Sequence, residues 1–157
     1  MRVGIVSDSH GDLYMLNRVL EELTDIDALI HLGDHYEDII TINNKYNKKI
    51  IYVAGNNDRL GEENLEEKVI TIEGHRILLT HGDKYGVYYD LNKLYYRAQE
   101  AECSLVLYGH THRQHYEVIE NTTFFNPGSA AYPRDIGIGY GILDINSKEF
   151  TIYPCRM

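Results

Sequence analysis

Cysteine is scarce in this 157-residue chain, and the two present, Cys103 and Cys155, stand far apart with no CxxC spacing. That scarcity argues against a disulfide framework and leaves two ordinary reduced thiols. It also argues against a structural zinc site, which needs clustered thiolates. No apolar run approaches the roughly 18 residues of a membrane span. Met1-Arg2-Val3-Gly4 runs straight into a strand-like stretch, with no signal peptide ahead of it. The expected location is therefore cytoplasmic, with no membrane partner. Positive charge is short as well: 15 Lys and Arg stand against 24 Asp and Glu, a formal charge of -9. Gripping nucleic acid needs a basic face that neutralises phosphates, so no stable nucleic-acid partner is expected. A small phosphate-ester substrate is not excluded, because bound cations reverse the field locally.

What is present is ordinary for a globular chain, with 43% hydrophobic and 25% charged residues and enough length to bury a core. Residues 2–7 form a β-branched run ending in polar residues, which predicts a buried first strand, and Asp8-Ser9-His10 follow at its end. Gly11-Asp12 then opens a helix, with Asp12 as N-cap and Leu13, Leu16, Val19, Leu20 and Leu23 at helical spacing. A second strand, 28–32, ends in Gly33-Asp34, and a second helix covers 36–46 with Ile39, Ile40 and Asn43 facing inward. A third strand, 49–54, ends in Gly55-Asn56-Asn57-Asp58. This alternation predicts a parallel sheet with right-handed crossovers.

The pattern then changes. Residues 68–73 and 75–80 flank Gly74 as a hairpin, and its second strand ends in His81-Gly82-Asp83. A helix over 88–102 carries Leu91, Leu94, Tyr95, Ala98 and Ala101 on one stripe, and an apolar strand follows at 104–108. Short strands at 115–120 and 123–126 flank a turn at Asn121-Thr122, and Asn126-Pro127-Gly128-Ser129 reads as a tight turn. A last hairpin pairs 140–145 with 150–153 through Asn146-Ser147. No linker, low-complexity segment or repeat divides the chain. The expected fold class is α/β, two packed mixed β-sheets flanked by helices, in a single domain over 1–157.

Gly109-His110-Thr111-His112 follows the 104–108 strand. In extended backbone, imidazoles at i and i+2 project to the same side, about 7 Å apart. That spacing serves two metals about 3.5–4 Å apart, as in two-metal hydrolytic sites. By itself, His-x-His on a loop reads as two solvated imidazoles. The rest of the chain changes the weight. Asp8 with His10, Asp34, Asn56 with Asp58, His81, and His110 with His112 each end one of five strands. Ligands in open α/β sheets gather outside the carboxyl ends of strands. One polar residue after a strand is a turn residue; carboxylate, imidazole and amide groups after five strands point to a divalent metal centre.

Taken in order, Asp8-x-His10, Gly33-Asp34, Gly55-Asn56-x-Asp58, Thr80-His81-Gly82 and Gly109-His110-Thr111-His112 resemble the calcineurin-like metallophosphoesterases. The chain length, Asn126-Pro127-Gly128-Ser129 and His81-Gly82-Asp83-Lys84-Tyr85-Gly86 are similar to the small bacterial and archaeal phosphodiesterase branch. The resemblance implies a four-layer α/β/β/α sandwich. It implies that Asp8, His10 and His112 hold one ion, that Asn56, His81 and His110 hold another, and that Asp34 bridges them. The two divalent ions implied are Mn2+ first, with Ni2+, Fe2+, Zn2+ or Co2+ as alternatives. The implied reaction is hydrolysis of a phosphate ester, a phosphodiester first, with a metal-bridging hydroxide as nucleophile. A phosphomonoesterase acting on small metabolites is the alternative within the same chemistry. A protein-interaction scaffold of the same fold is the alternative outside it. Competent residues at every expected ligand position favour the enzyme.

One position departs from the family pattern. Many members place a His third in the Gly-Asn-x-Asp motif, where it contacts phosphate and protonates the leaving group; here that residue is Asn57. An amide donates a hydrogen bond to a phosphate oxygen but cannot act as a general acid. Asp58 loses its usual partner and becomes a candidate substrate contact, and the source of the proton stays open. His35, directly after Asp34, is a candidate beside its plainer reading as a solvated residue at a helix start. Ser9, between two ligands, either touches phosphate or supports the turn. Arg59 and Arg113 each follow a motif and either pair with substrate phosphate or are surface charges. His31, mid-strand, reads as a satisfied buried imidazole, and His75 and His115 as surface residues. Of the 14 tyrosines, Tyr85, Tyr88, Tyr89, Tyr95 and Tyr96 cluster around the third helix. Core packing and an amphipathic surface account for most of them, with a homo-oligomer interface or an aromatic wall beside the cleft as the alternatives.

Overall fold

The computed structural model describes residues 1–59 and 65–157. Its first half alternates β1 (Arg2–Val6), α1 (Leu13–Glu22), β2 (Ala28–His31), α2 (Glu37–Tyr46) and β3 (Lys49–Tyr52). Then come β4 (Glu67–Ile72), β5 (His75–Thr80), a 3-10 turn at Asp83–Tyr85, α3 (Asn92–Glu100) and β6 (Leu105–Leu107). The chain closes with β7 (Gln114–Ile119), β8 (Thr122–Pro127), β9 (Gly139–Ile145) and β10 (Phe150–Arg156). Two five-stranded sheets result, ordered β10-β9-β1-β2-β3 and β4-β5-β6-β8-β7. Each is mixed: in the first, β1, β2 and β3 pair in parallel while β9 and β10 add antiparallel on one side, and in the second the parallel pairs lie inside and the antiparallel pairs at both edges. This is the two-sheet α/β architecture that the sequence predicts.

Alternation along the strands sorts the core into layers, because successive side chains face opposite sides of a sheet. Ile5, Ile30, Ile77, Leu79, Leu107 and Phe125 meet between the two sheets. Val6 and Leu29 point the other way and pack with Leu16, Val19 and Leu20 of α1 and Ile39 of α2. Leu78, Val106 and Phe124 receive Leu94 and Ala98 of α3 on the outer face of the second sheet. Helices thus cover both outer faces. Among the described residues, no helix is long and apolar enough to cross a membrane.

Several boundaries and faces differ from expectation, each for a local reason. Helix α2 turns Ile39, Ile42 and Tyr46 inward, while Ile40 is 40% exposed. Spacing of three and four from Ile39 selects that face, and the neighbour of Ile39 falls outside it. The Asn43 side chain instead bonds the Lys48 backbone, accepting from its N–H at 2.9 Å and donating to its carbonyl at 2.8 Å. Helix α3 is shorter than 88–102. Asp90 Oδ1 accepts from the Asn92 N–H at 2.9 Å, a local turn that competes with helix before that point. Glu102, at φ 54°, ends it. The β7–β8 turn falls at Glu120-Asn121, and β8 runs on through Pro127 rather than turning at Asn126. Strand β10 continues past Pro154, which costs no ladder bond where β10 is the edge of its sheet.

Candidate metal centre

Strand ends from both sheets converge at one place. Asp8 and His10 follow β1, Asp34 and His35 follow β2, Asn56 to Asp58 follow β3, His81 follows β5, and His110 and His112 follow β6. The Asp8 N–H donates to the Gly33 carbonyl at 3.0 Å within the first sheet, and the Gly109 N–H to the His81 carbonyl at 2.9 Å within the second. Among the described residues, six of the eleven non-glycine residues at positive φ lie here: Asp8, His10, Asp34, His35, His110 and His112. Left-handed backbone costs on the order of 1 kcal/mol for a side-chain-bearing residue, so its concentration at one place marks strain held by surrounding structure. This also corrects the expected geometry of the His-x-His pair. His110 at φ 72° and His112 at φ 58° are left-handed turns, not extended backbone, and each ring reaches a different partner set.

The first set is compact. Asp8, His10, Asp34 and His112 each offer one donor atom, all within 4.8 Å of one another. His10 Nε2 lies 3.0 Å from His112 Nε2 and 3.5 Å from Asp34 Oδ2. Asp8 Oδ1 lies 3.2 Å from His112 Nε2 and 3.8 Å from His10 Nε2. A second set adjoins it: His81 Nε2 is 3.4 Å from Asp34 Oδ1 and 3.2 Å from His110 Nδ1. The two Asp34 oxygens therefore face different imidazoles. Donors on a sphere of about 2.1 Å radius stand about 3.0–3.4 Å apart, so these spacings fit a small divalent cation.

Two further observations support that fit. Asp8 Oδ1 is buried with no hydrogen-bond partner among the described residues, a costly state unless something else satisfies it. The rings are also oriented from behind. His81 Nδ1 donates to the Leu32 carbonyl and His112 Nδ1 to the Tyr132 carbonyl, both at 2.7 Å. With its Nε2 proton displaced by a cation, each ring would present an Nε2 lone pair to the centre, the arrangement that fixes ligand tautomers in metal sites.

Electrostatics agree. Burial would raise the Asp8 carboxyl, but the imidazoles of His10, His112 and His81 overcome it and hold the group well below the ordinary range. Asp34 sits at about 2; burial opposes, and His81 and then the Asn57 donors prevail. Burial lowers His81, yet Asp34 and Asp8 carry it up to about 9. His110 is lowered by burial and then by the charge on His81. The adjacent Asp8 carboxylate raises His112 against burial. Two ionised carboxylates thus sit among imidazoles, where a cation would replace protons.

The remaining expected residues divide. Asn57 is at the centre, its N–H on Asp34 Oδ1 at 2.9 Å and its side-chain amide on Asp34 Oδ2 at 2.8 Å. Asn56 is exposed in the same turn, with no side-chain hydrogen bond among the described residues. The exposed His35 ring lies 5.7 Å from that of His10, on the rim. Ser9 is corrected: it is fully buried, and its hydroxyl contacts His31 Nε2 at 3.0 Å and Asp38 Oδ2 at 2.7 Å, so it holds the turn instead of reaching phosphate. Asp58 is corrected too. Its carboxylate accepts from the N–H groups of His35, Tyr36 and Gly55 at 2.7, 3.1 and 2.8 Å, joining two ligand-bearing turns rather than meeting substrate. Arg59 is exposed beyond it, with no hydrogen bond or ion pair to the donors among the described residues. His31 is the satisfied buried imidazole expected, lowered to about 4 by burial.

Several neighbours were not singled out from sequence. Ser129 donates to the Asp8 carbonyl at 2.7 Å, and Asn126 donates to the Gly109 carbonyl at 2.7 Å; only the turn-like Asn-Pro-Gly-Ser spelling hinted at them. The Tyr88 ring packs edge-on to His110 at 4.8 Å, and the Arg134 guanidinium lies over Tyr88 at 5.9 Å. Tyr132 stands 6.0 Å from His10. Nothing in the local sequence marks Arg134 or Tyr132, whereas Tyr88 belongs to the tyrosine cluster for which an aromatic wall beside the cleft is one of the alternatives.

This sandwich, with carboxylates and imidazoles gathered at its strand ends, has the form of a metallophosphoesterase. Residues 1–148 match the calcineurin-like phosphoesterase superfamily domain, and the chain belongs to that family. It is 33% identical over 154 residues to the probable metallophosphoesterase YsnB of Bacillus subtilis, covering 97% of this chain and 89% of that protein. Phosphodiesterase MJ0936 of Methanocaldococcus jannaschii is 29% identical over 167 residues, 96% of each chain. The crystal structure of an uncharacterized Streptococcus pneumoniae protein, a predicted phosphoesterase, superposes with a TM-score of 0.79 at 28% identity. That match covers 99% of this chain and 88% of the other.

Proposed function

We propose that this chain is a cytoplasmic hydrolase of small phosphate esters, phosphodiesters first, working with two divalent ions. The observation that carries the reading is the divided Asp34 carboxylate, with Oδ2 3.5 Å from His10 Nε2 and Oδ1 3.4 Å from His81 Nε2. Asp8, His10 and His112 would hold one ion, His81, His110 and Asn56 the other, and Asp34 both. Mn2+ is the first choice, with Ni2+, Fe2+, Zn2+ or Co2+ as alternatives. Ions so held supply positive charge against phosphate oxygens and lower the pKa of water toward neutrality.

The chain's own groups orient this chemistry. Leu32 and Tyr132 fix the two rings through their carbonyls, and Asn57 steadies the bridging carboxylate with two N–H groups. One amide hydrogen of Asn57 is left for a phosphate oxygen. Because an amide yields no proton, esters with good leaving groups should turn over best. The phosphodiesterase name carried by the M. jannaschii relative favours diesters over monoesters.

The test uses chelator-stripped protein with bis(p-nitrophenyl) phosphate and p-nitrophenyl phosphate, before and after adding Mn2+. Metal-restored hydrolysis favouring the diester is expected, with a loss of at least about 100-fold in His112→Ala or Asp34→Asn at little cost in stability. Equal activity in variant and parent would overturn the site assignment. A preference for the monoester would replace the substrate class. Inactivity on both with metals bound would support the scaffold reading instead.

A further inference from the structure

The loop after β8 places a cation at the mouth of the metal centre. Ser129 starts it: its hydroxyl donates to the Asp8 carbonyl and accepts from the Ala131 and Tyr132 N–H groups at 3.1 and 2.7 Å. The loop then lies along His112, whose Nδ1 donates to the Tyr132 carbonyl and whose own carbonyl accepts from the Arg134 N–H at 2.9 Å. The exposed Arg134 guanidinium turns to Tyr88, donating to its hydroxyl and lying over its ring. That hydroxyl donates in turn to the His110 carbonyl at 3.2 Å. Arg134 is thus tied to both histidines of the Gly-His-Thr-His motif, to one through its backbone and to the other through Tyr88.

This guanidinium is held in place but not neutralised. Arg2, Arg97 and Arg156 pair with Asp144, Glu67 and Asp135. Asp135 adjoins Arg134 in sequence, yet its carboxylate accepts from the Gln114 N–H at 2.7 Å and faces Arg156. Among the described residues Arg134 has no carboxylate partner, in a chain with 24 Asp and Glu. One of its five N–H donors is on Tyr88, and the others are left for an anion. Its charge is felt at the centre: Asp8 raises His112, and Arg134 works against that rise. The scissile group of a phosphodiester has no need of these donors. Its two non-bridging oxygens are taken by the ions and the Asn57 amide in the reading above. The guanidinium is exposed, so it meets whatever part of a substrate projects from the centre. Paired N–H groups suit it to carboxylate or phosphate oxygens.

We infer that Arg134 is a specificity-determining residue that takes a second anionic group, a carboxylate or a phosphate, carried by the substrate a few bonds from the scissile phosphorus. The inference rests on the phosphoesterase reading, so its test measures binding and not hydrolysis. Isothermal titration of Mn2+-loaded protein compares three ligands that resist hydrolysis and present one phosphonate to the centre. Phosphonopropionate ends in a carboxylate, propylene bisphosphonate in a second phosphonate, and butylphosphonate in a methyl group. The parent should bind one or both of the first two about 10-fold more tightly than the third, the worth of one charge-assisted contact. Which of the two it prefers tells carboxylate from phosphate. Arg134→Met should remove the preference, and Arg134→Lys should keep part of it, because the charge survives without the planar fork. Arg113→Met, the neighbouring exposed arginine, should leave it intact.

Equal affinities in the parent, or binding of none of the three, overturn the inference. A preference that survives Arg134→Met belongs to the ions and overturns it too, as does one that falls in Arg113→Met alone. The phosphoesterase reading is judged separately, by Mn2+-restored hydrolysis of the aryl esters. Its failure and the failure of this inference therefore show in different experiments.

Discussion

Asp58 offers the sharpest test of how the metal centre is held. One carboxylate accepts three backbone N–H groups, two from the turn after β2 and one from the turn after β3. These turns carry Asp34 and Asn56. The magnitude follows from exposure. The bond from His35 is exposed, so its N–H finds water once the carboxylate is gone and little is lost. The bonds from Tyr36 and Gly55 are partly buried, and each should cost about 1 kcal/mol. Asp58→Ala should therefore destabilise the metal-stripped protein by about 2 kcal/mol, part of it lost charge at the N-terminus of α2. Asp58→Asn keeps one acceptor oxygen and should cost about half as much. Urea unfolding monitored by circular dichroism measures this, with an unchanged m-value marking a pure stability effect. Metal affinity should fall as well, because the two turns lose their common anchor. An Asp58→Ala protein within about 0.5 kcal/mol of the parent would refute the reasoning. So would a large fall in kcat at unchanged stability and metal affinity, which would return Asp58 to the role of orienting a catalytic group.

Two further outcomes follow from the same geometry. A Cβ at Gly109 would sit 2.1 Å from Ser7 Oγ and 2.8 Å from Asp8 Oδ2, so Gly109→Ala must push the Asp8 carboxylate aside. Isothermal titration with Mn2+ should show at least about a tenfold loss of affinity, alongside about 1–3 kcal/mol of destabilisation from overpacking. His31, lowered to about 4 from an ordinary 6.5, stays neutral in the native state while the unfolded chain takes up a proton. Its contribution is therefore present above pH 6.5 and lost as pH falls from 6.5 toward 4, on the order of 3 kcal/mol in all. Denaturation series across that window should show a flatter pH dependence in His31→Asn than in the parent, and parallel curves would refute it.

Which parts of this molecule were legible from its sequence depends on what fixes each part. Strand residues such as Ile5, Leu79 and Phe125 face the inter-sheet layer because the backbone period is two, and that period is visible in the spelling. The donors were legible for a related reason. His10, Asp34, His81 and His112 occupy strand tips, whose position follows once the strands are placed, and their chemistry is carried by residue type. The inward face of α2 was harder, since Ile39, Ile40 and Ile42 are all apolar and only packing rejects Ile40.

What stayed hidden is whatever the loops decide by long-range hydrogen bonds. Asp58 reads as the partner of a missing histidine until its three backbone N–H donors are seen. Ser9 reads as a phosphate contact until its hydroxyl is found between His31 and Asp38. Tyr132 serves His112 through a backbone carbonyl, which no side-chain pattern records. The same holds for the left-handed turns at His110 and His112. Their positive φ angles are imposed by contacts such as the His110 N–H to Asp8 Oδ2 at 3.1 Å, from a residue more than a hundred positions away. The ligand set is therefore a property of composition and order, whereas its geometry belongs to the assembled fold. A sequence that kept the donors but lost Asp58 and Gly109 would still spell the family motifs in outline and would offer a metal ion a poorer site.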